Sequence, residues 1–144
     1  MATTIVDVLD SLRAAIEAVI PHDQVNEDDV FRTFTLGAPV RRSSRAMLVT
    51  ATPPVRAMPG LTCYDWQTTV NLSTLYAIGQ AEEDQRTAYE RALLDSENVA
   101  EAIYTWVASG VVLNATLQEG DISPDNDGAL VCERQLVLQW TRGP

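Results

Sequence analysis

The sequence predicts an α+β fold: a mostly antiparallel sheet with two helical segments packed on one face and a projecting β-arm. Three observations predict it. Helical and strand-like patterns come in blocks, in the order helix, strands, helix, strands, which is the α+β arrangement. One segment, Tyr64 to Ile78, alternates apolar and polar residues over its whole length. Two segments, Ile5 to Ile20 and Glu82 to Ala108, repeat apolar residues at helical spacing instead. The chain has 144 residues, the usual size of one domain, so residues 1–144 are read as a single domain with a core that needs no staples.

The first helical segment carries Ile5, Val8, Leu9, Leu12, Ile16, Val19 and Ile20 on one face. Thr4 and Asp7 have the spacing of a capping box, and Pro21 marks the stop. His22 to Asp29 is a polar connector. Val30 to Leu36 reads as a short strand, and Gly37 to Ser44 as a loop. Arg45 to Thr52 reads as a strand with Met47, Val49 and Ala51 on one face, ended by Pro53 and Pro54. Val55 to Leu61 is a second loop or hairpin arm.

The long alternating segment places Tyr64, Trp66, Val70, Leu72, Tyr76 and Ile78 on one face, with Thr68 and Thr74 between them. Asp65, Gln67, Thr69, Asn71 and Ser73 take the other face. An ordinary strand has ~5–6 residues, so one end of this strand is expected to project, near Cys63 and the Pro53 to Leu61 loop. The second helical segment buries Ala88, Ala92, Val99, Ala102, Ile103, Trp106 and Val107. Asp95-Ser96-Glu97 resembles a helix start, so one kinked helix and two helices are both open. Gly110 is placed to end it. Val111 to Gln118 reads as a strand and Glu119 to Gly128 as an acidic turn region. Leu130 to Thr141 is the final strand, with Leu130, Cys132, Leu136, Leu138 and Trp140 inward.

The chain carries a net charge of −10, and all ten bases are arginine. Between Asp29 and Asp65 there is no acid, while Arg32, Arg41, Arg42, Arg45 and Arg56 fall there. That stretch is +5, which leaves −15 for the rest of the −10 total. Such a split suits a subunit that docks its basic part on a neighbour's acidic part; arginines paired to acids of their own domain explain it equally well. The acidic balance argues against general affinity for nucleic acid or anionic membranes. No apolar stretch approaches the ~18–20 residues of a membrane span, and no secretory signal pattern opens the chain.

Chemistry is sparse. The single histidine, His22, sits in a connector without partner residues around it. No nucleophile elbow, phosphate loop, dinucleotide fingerprint or zinc spacing occurs. Ser123-x-Asp125-x-Asp127-Gly128 partly matches a calcium loop, but Ser123 stands at the first position and Arg134 at the late acidic one. A turn between strands explains the same residues. Cys63 and Cys132 are not at metal spacing and read as small apolar residues. Trp66, Trp106 and Trp140 fall at buried-face positions and read as core. The expectation is a non-enzyme with no cofactor and no metal.

The layout resembles the tail terminator proteins of lambda-like long-tailed bacteriophages. The resemblance rests on the helix Ile5 to Ile20, the strands and turn-rich loop of Val30 to Leu61, the long strand Tyr64 to Ile78, the acid-rich helix Glu82 to Ala108, and the closing Arg134-Gln-Leu-Val-Leu-Gln-Trp140 strand. It covers nearly the whole chain but includes no diagnostic motif, and head–tail joining proteins share the layout. The resemblance implies a hexameric ring of this chain that meets the tail tube protein and the head–tail connector protein, in a virion assembled in host cytoplasm. It also implies DNA passing through the lumen without specific binding, and no membrane. Arg41, Arg42, Arg45 and Arg56 on the basic side, with Asp121, Asp125 and Asp127 on the acidic side, are the candidate contact residues.

Overall fold

A computed structural model describes residues 4–22, 24, 30–35, 45–56, 65–77, 82–124 and 128–141. Among the described residues two helices and a seven-stranded sheet form an α+β fold. Helix α1 spans Ile5–Glu17. Thr4 accepts from the Asp7 N–H while the Asp7 carboxylate accepts from the Thr4 N–H, so the capping box closes from both sides. Val8, Leu12 and Ile16 are fully buried. The helix ends at Glu17, earlier than Pro21 predicted, and Ile20 points outward, 72% exposed.

The sheet is built on two strands of equal length. β4 (Asp65–Ala77) and β7 (Ala129–Thr141) each have 13 residues and pair antiparallel from Asp65↔Thr141 to Ala77↔Ala129. At ~3.3 Å per residue the pair runs about 43 Å. Two short strands flank each. β2 (Ala46–Ala51) and β3 (Val55–Arg56) share the outer edge of β4, while β5 (Asn114–Leu117) and β6 (Asp121–Pro124) share that of β7. β1 (Arg32–Phe34) adds a parallel edge to β2, the one exception to the antiparallel pattern among the described strands. The Glu17 carboxylate accepts from the Thr33 N–H at 3.1 Å and its hydroxyl at 2.8 Å. A backbone donor on the β1 edge is thereby occupied.

The length of β4 is taken up inside the sheet, because β7 pairs with all of it. The arm expected over Val55 to Leu61 begins with β3; residues 57–64 lie outside the described residues. Glu119 to Gly128 is not a turn region throughout, since β6 occupies Asp121–Pro124. Its four residues carry too little apolar alternation to signal a strand, and pairing to β7 decides it. Between β5 and β6 the chain jogs through Gly120, where an added Cβ would sit 2.0 Å from the Glu133 carbonyl oxygen. Only glycine allows that close approach.

Helix α2 is one continuous element, Glu82–Ala108, about 40 Å at 1.5 Å per residue. It ends as expected before Gly110, whose φ is +88°. Its inward stripe is Ala88, Ala92, Asp95, Val99, Ile103 and Trp106, at successive helical spacings. Both helices cover the same sheet face. Val8, Leu12 and Ile16 of α1 and Val99, Ile103 and Trp106 of α2 pack with Val70, Leu72, Leu136, Leu138 and Trp140. Ala88 and Ala92 form a second cluster with Tyr76, Leu130 and Cys132. Trp106 Nε1 donates to Ser11 Oγ at 2.8 Å, which ties the helices together. No helix among the described residues is long and apolar enough to cross a membrane.

Candidate interaction surfaces

The predicted contact residues separate sharply. Arg41, Arg42, Asp125 and Asp127 lie outside the described residues. Arg45 is not a surface group: it is 1% exposed. Its Nε donates to Asp95 Oδ2 at 2.7 Å, and its Nη2 donates to the His22 carbonyl. Asp95 also accepts from the Tyr76 hydroxyl at 3.0 Å and the His22 backbone N–H at 2.7 Å. The placement of Arg45 as a contact for a neighbour is therefore corrected. A guanidinium buried in the domain is stable only with a paired carboxylate, and α2 supplies one at the middle of its inward stripe.

Local structure sets up this arrangement. Arg45 stands at φ +67°, in the left-handed region, as the chain turns into β2. Its N–H donates to the Leu75 carbonyl at 2.7 Å and its carbonyl accepts from the Arg32 N–H at 3.2 Å. Both bonds hold a backbone conformation that is unfavourable for an L-residue by ~1–2 kcal/mol. The side chain then reaches under α2 between the two apolar clusters. Burial, reinforced by the Asp95 carboxylate, holds the Tyr76 phenol far above its ordinary value. Asp95 thus joins the connector after α1, the start of β2, the end of β4 and the middle of α2 in one set of hydrogen bonds.

Arg56 is on the surface, as expected. Its guanidinium lies 5.7 Å from the Trp66 ring centroid, within cation–π range. Asp121 is exposed on β6, and its register partner on β7 is Glu133. Two like charges directly opposite on a sheet repel. With Glu119 they border an open groove of about 530 Å³ above Asn71 and Ser73. Arg134, the one arginine among the described residues that line the groove, is directed to the Gln118 carbonyl and Ser96 Oγ. Among the described residues no three His, Cys, Asp or Glu side chains are grouped to hold a metal ion. His22 takes part through its backbone alone in the bonds described above. Cys132 is buried and free; Cys63 lies outside the described residues.

Two further surfaces stand out; the first, the polar sheet face, is the one the alternation of the long strand predicts, and the second, on α2, was not anticipated. The sheet face away from the helices presents Gln67, Thr69, Asn71 and Ser73 of β4 beside Gln135 and Gln139 of β7. At these open-face positions of the two central strands the only charges are Asp65 and Glu133. Helix α2 also shows large apolar side chains to solvent, among them Tyr89, Leu93 and Tyr104. The helical spacing of those residues was visible in the sequence, but the stripe beside them is more apolar and masked the signal. Trp66 and Trp140 border a small apolar cavity of about 290 Å³ with Ile5 and Pro54. Set against known protein families and curated protein sequences, the chain matches none of them.

Proposed function

We propose that this chain is a structural virion protein that forms a homohexameric ring at the end of a phage tail tube. The ring stops tube growth and joins the tail to the head connector while DNA passes through its hole. The observation that carries this reading is the separation of charge onto different parts of one small domain. Of the arginines in the acid-free stretch, Arg32 and Arg56 are exposed on β1 and β3, while an acidic groove of Glu119, Asp121 and Glu133 lies along β6 and β7. Unlike patches on one chain suit head-to-tail contact, and such contact closes into a ring when the rotation allows. The central strands add a second support. Their open face mixes polar side chains with Leu75, Val131 and Val137 and carries two acids and no base, and so offers no counter-ion to DNA phosphates.

Assembly is preferred to catalysis on the separation of charge described above. The test is negative-stain imaging and native mass of the protein mixed with purified tail tubes. Sixfold rings on tube ends are the expected result. A strict monomer that leaves tube ends bare refutes the proposal. Rings that bind isolated head connectors and ignore tubes assign the neighbouring role, a head–tail connector or neck protein of the same virion.

One observation favours a second reading, a small ligand-binding module. The 290 Å³ cavity beside Trp66 and Trp140 is at the low end of the ~300–1,000 Å³ typical of ligand sites. Trp140 Nε1 is buried with no hydrogen-bond partner among the described residues. Tryptophan fluorescence that responds to no member of a small-molecule panel removes this reading.

A further inference from the structure

Strand β2 is placed on β4 by a pattern that more than one register satisfies. Its six residues pair from Ala46↔Leu75 to Ala51↔Val70. Met47 and Val49 are buried opposite Thr74 and Leu72, while Leu48 and Thr50 take the open face opposite Ser73 and Asn71. A slip of one residue turns the buried set to the open face, so burial forbids it. A slip of two residues keeps every side chain on its own face. It sets Met47 against Leu72, Val49 against Val70 and Ala51 against Thr68, all inward residues of β4. Thr52 now donates its N–H to the Thr69 carbonyl at 2.9 Å, and its hydroxyl accepts from the Thr69 N–H at 3.1 Å. After the slip Thr50 stands opposite Thr69 and takes over both bonds. At that end the slip displaces β3, two residues whose side chains are exposed.

Arg45 does not tolerate the slip. It lies one residue before Ala46, in the inward phase of β2. Its bonds to Asp95 Oδ2 and the His22 carbonyl tie it to two elements beyond the sheet, α2 and the connector after α1. From β4, Tyr76 donates its hydroxyl to the same Asp95 oxygen at 3.0 Å. One side chain from each strand therefore meets over a single carboxylate. At ~3.4 Å per residue, a two-residue slip carries Arg45 about 7 Å along β4, against a bond of 2.7 Å to Asp95. Thr74, which it then faces, offers a hydroxyl and no charge. A buried guanidinium that leaves its carboxylate is costly in a way that the exchange of one apolar neighbour for another is not.

We infer that the buried Arg45–Asp95 pair is a register lock: it selects, among the registers that apolar alternation permits, the one in which Ala46 meets Leu75. β1 pairs in parallel with β2, so the lock also sets where the outer edge of the sheet, with exposed Arg32, stands relative to α2. The pair thus specifies position, separately from its effect on stability. This role holds whether or not the chain assembles.

The test reads register by cross-linking in a Cys63→Ser, Cys132→Ala background. Thr50→Cys with Asn71→Cys places two thiols directly opposite in the observed register. Thr50→Cys with Thr69→Cys, or with Ser73→Cys, does so only after a slip of two in one direction or the other. Diagonal neighbours stand ~7–8 Å apart, beyond the usual span of a disulfide. Each pair is equilibrated in a glutathione redox buffer and the disulfide is quantified by mass spectrometry. With Arg45 and Asp95 intact, the opposite pair is expected to form at least ~100-fold more favourably than either diagonal pair. In the lock-free chain Arg45→Met, Tyr76→Phe, Asp95→Leu, that preference is expected to fall below ~10-fold for one diagonal pair, while circular dichroism and cooperative urea unfolding persist. Arg45→Met with Asp95→Asn, which keeps an amide to pair with the Tyr76 hydroxyl, gives the same comparison with less disturbance. A preference that stays near ~100-fold in both lock-free chains overturns the inference. Loss of cooperative unfolding in both also overturns it, because the pair then acts through stability alone.

Discussion

Replacing Asp95 with alanine tests whether the buried polar set organises the domain. The side chains of Arg45 and Asp95 are both 1% exposed and meet at 2.7 Å. Asp95→Ala leaves the Arg45 guanidinium buried and unpaired at Nε, and also strands the Tyr76 hydroxyl and the His22 N–H. Breaking a buried pair from one side costs ~3–5 kcal/mol. Each orphaned neutral donor carries ~1–3 kcal/mol more, but the terms overlap because the site relaxes. A loss of about 4 kcal/mol is expected, a large share of the ~5–15 kcal/mol typical of a domain. Urea unfolding followed by tryptophan fluorescence and circular dichroism measures it, with an unchanged m-value showing that two-state behaviour holds. The triple variant Arg45→Met, Tyr76→Phe, Asp95→Leu removes both charges and the phenol together. It is expected to be more stable than Asp95→Ala alone, since apolar replacement of a whole buried ionic set is often neutral. A loss below ~1 kcal/mol for Asp95→Ala refutes the reasoning, because a buried guanidinium that loses its carboxylate cannot be that cheap. A triple variant less stable than the single one refutes it as well.

Three more outcomes follow from the same structure. Gly120→Ala drives a Cβ into the Glu133 carbonyl and is expected to destabilise by ~1–3 kcal/mol; a neutral result in urea unfolding shows that the jog between β5 and β6 shifts freely. Burial raises the Cys132 thiol and keeps it protonated, so in a Cys63→Ser background a disulfide reagent is expected to modify it ~100-fold more slowly in the folded protein than in urea. Equal rates in the two states refute that. Burial raises the Tyr76 phenol above its unfolded value of ~10. Its contribution to stability is therefore full below pH ~10 and declines above it at up to ~1.4 kcal/mol per pH unit, as the unfolded tyrosine ionises. Tyr76→Phe is expected to flatten that decline in urea unfolding across alkaline pH, and an unchanged slope contradicts the assignment.

Much of the fold was legible because it depends on local spacing. Alternation along β4 placed Thr68, Val70, Leu72, Thr74 and Tyr76 inward, and all are buried. Thr4 with Asp7 marked the start of α1, and Gly110 the end of α2. The candidate contacts were less legible. Arg56 was read as a surface base and is one, whereas Arg45, from the same acid-free stretch, turns inward. Their sequence environments are alike: each is an arginine at the edge of a short strand. What separates them is what lies above, Trp66 over one and Asp95 over the other.

Asp95 did leave a signal. It falls at the buried phase of the stripe that runs from Ala88 to Trp106, where an acid has to be either a break or a buried partner. Read as a break, it left one kinked helix and two helices both open. The helix continues because Arg45, 50 positions earlier, satisfies the carboxylate. The sequence by itself determined the inward face along the middle of each long element, since periodicity is a property of neighbouring positions, but not at the ends, where Ile20 is exposed and Arg45 buried. Only the tertiary structure decided the strand identity of β6, the parallel pairing of β1 and the pairing of Arg45 with Asp95. Each of these depends on a partner far along the chain, and a weakly patterned or charged segment takes its conformation from the group it meets.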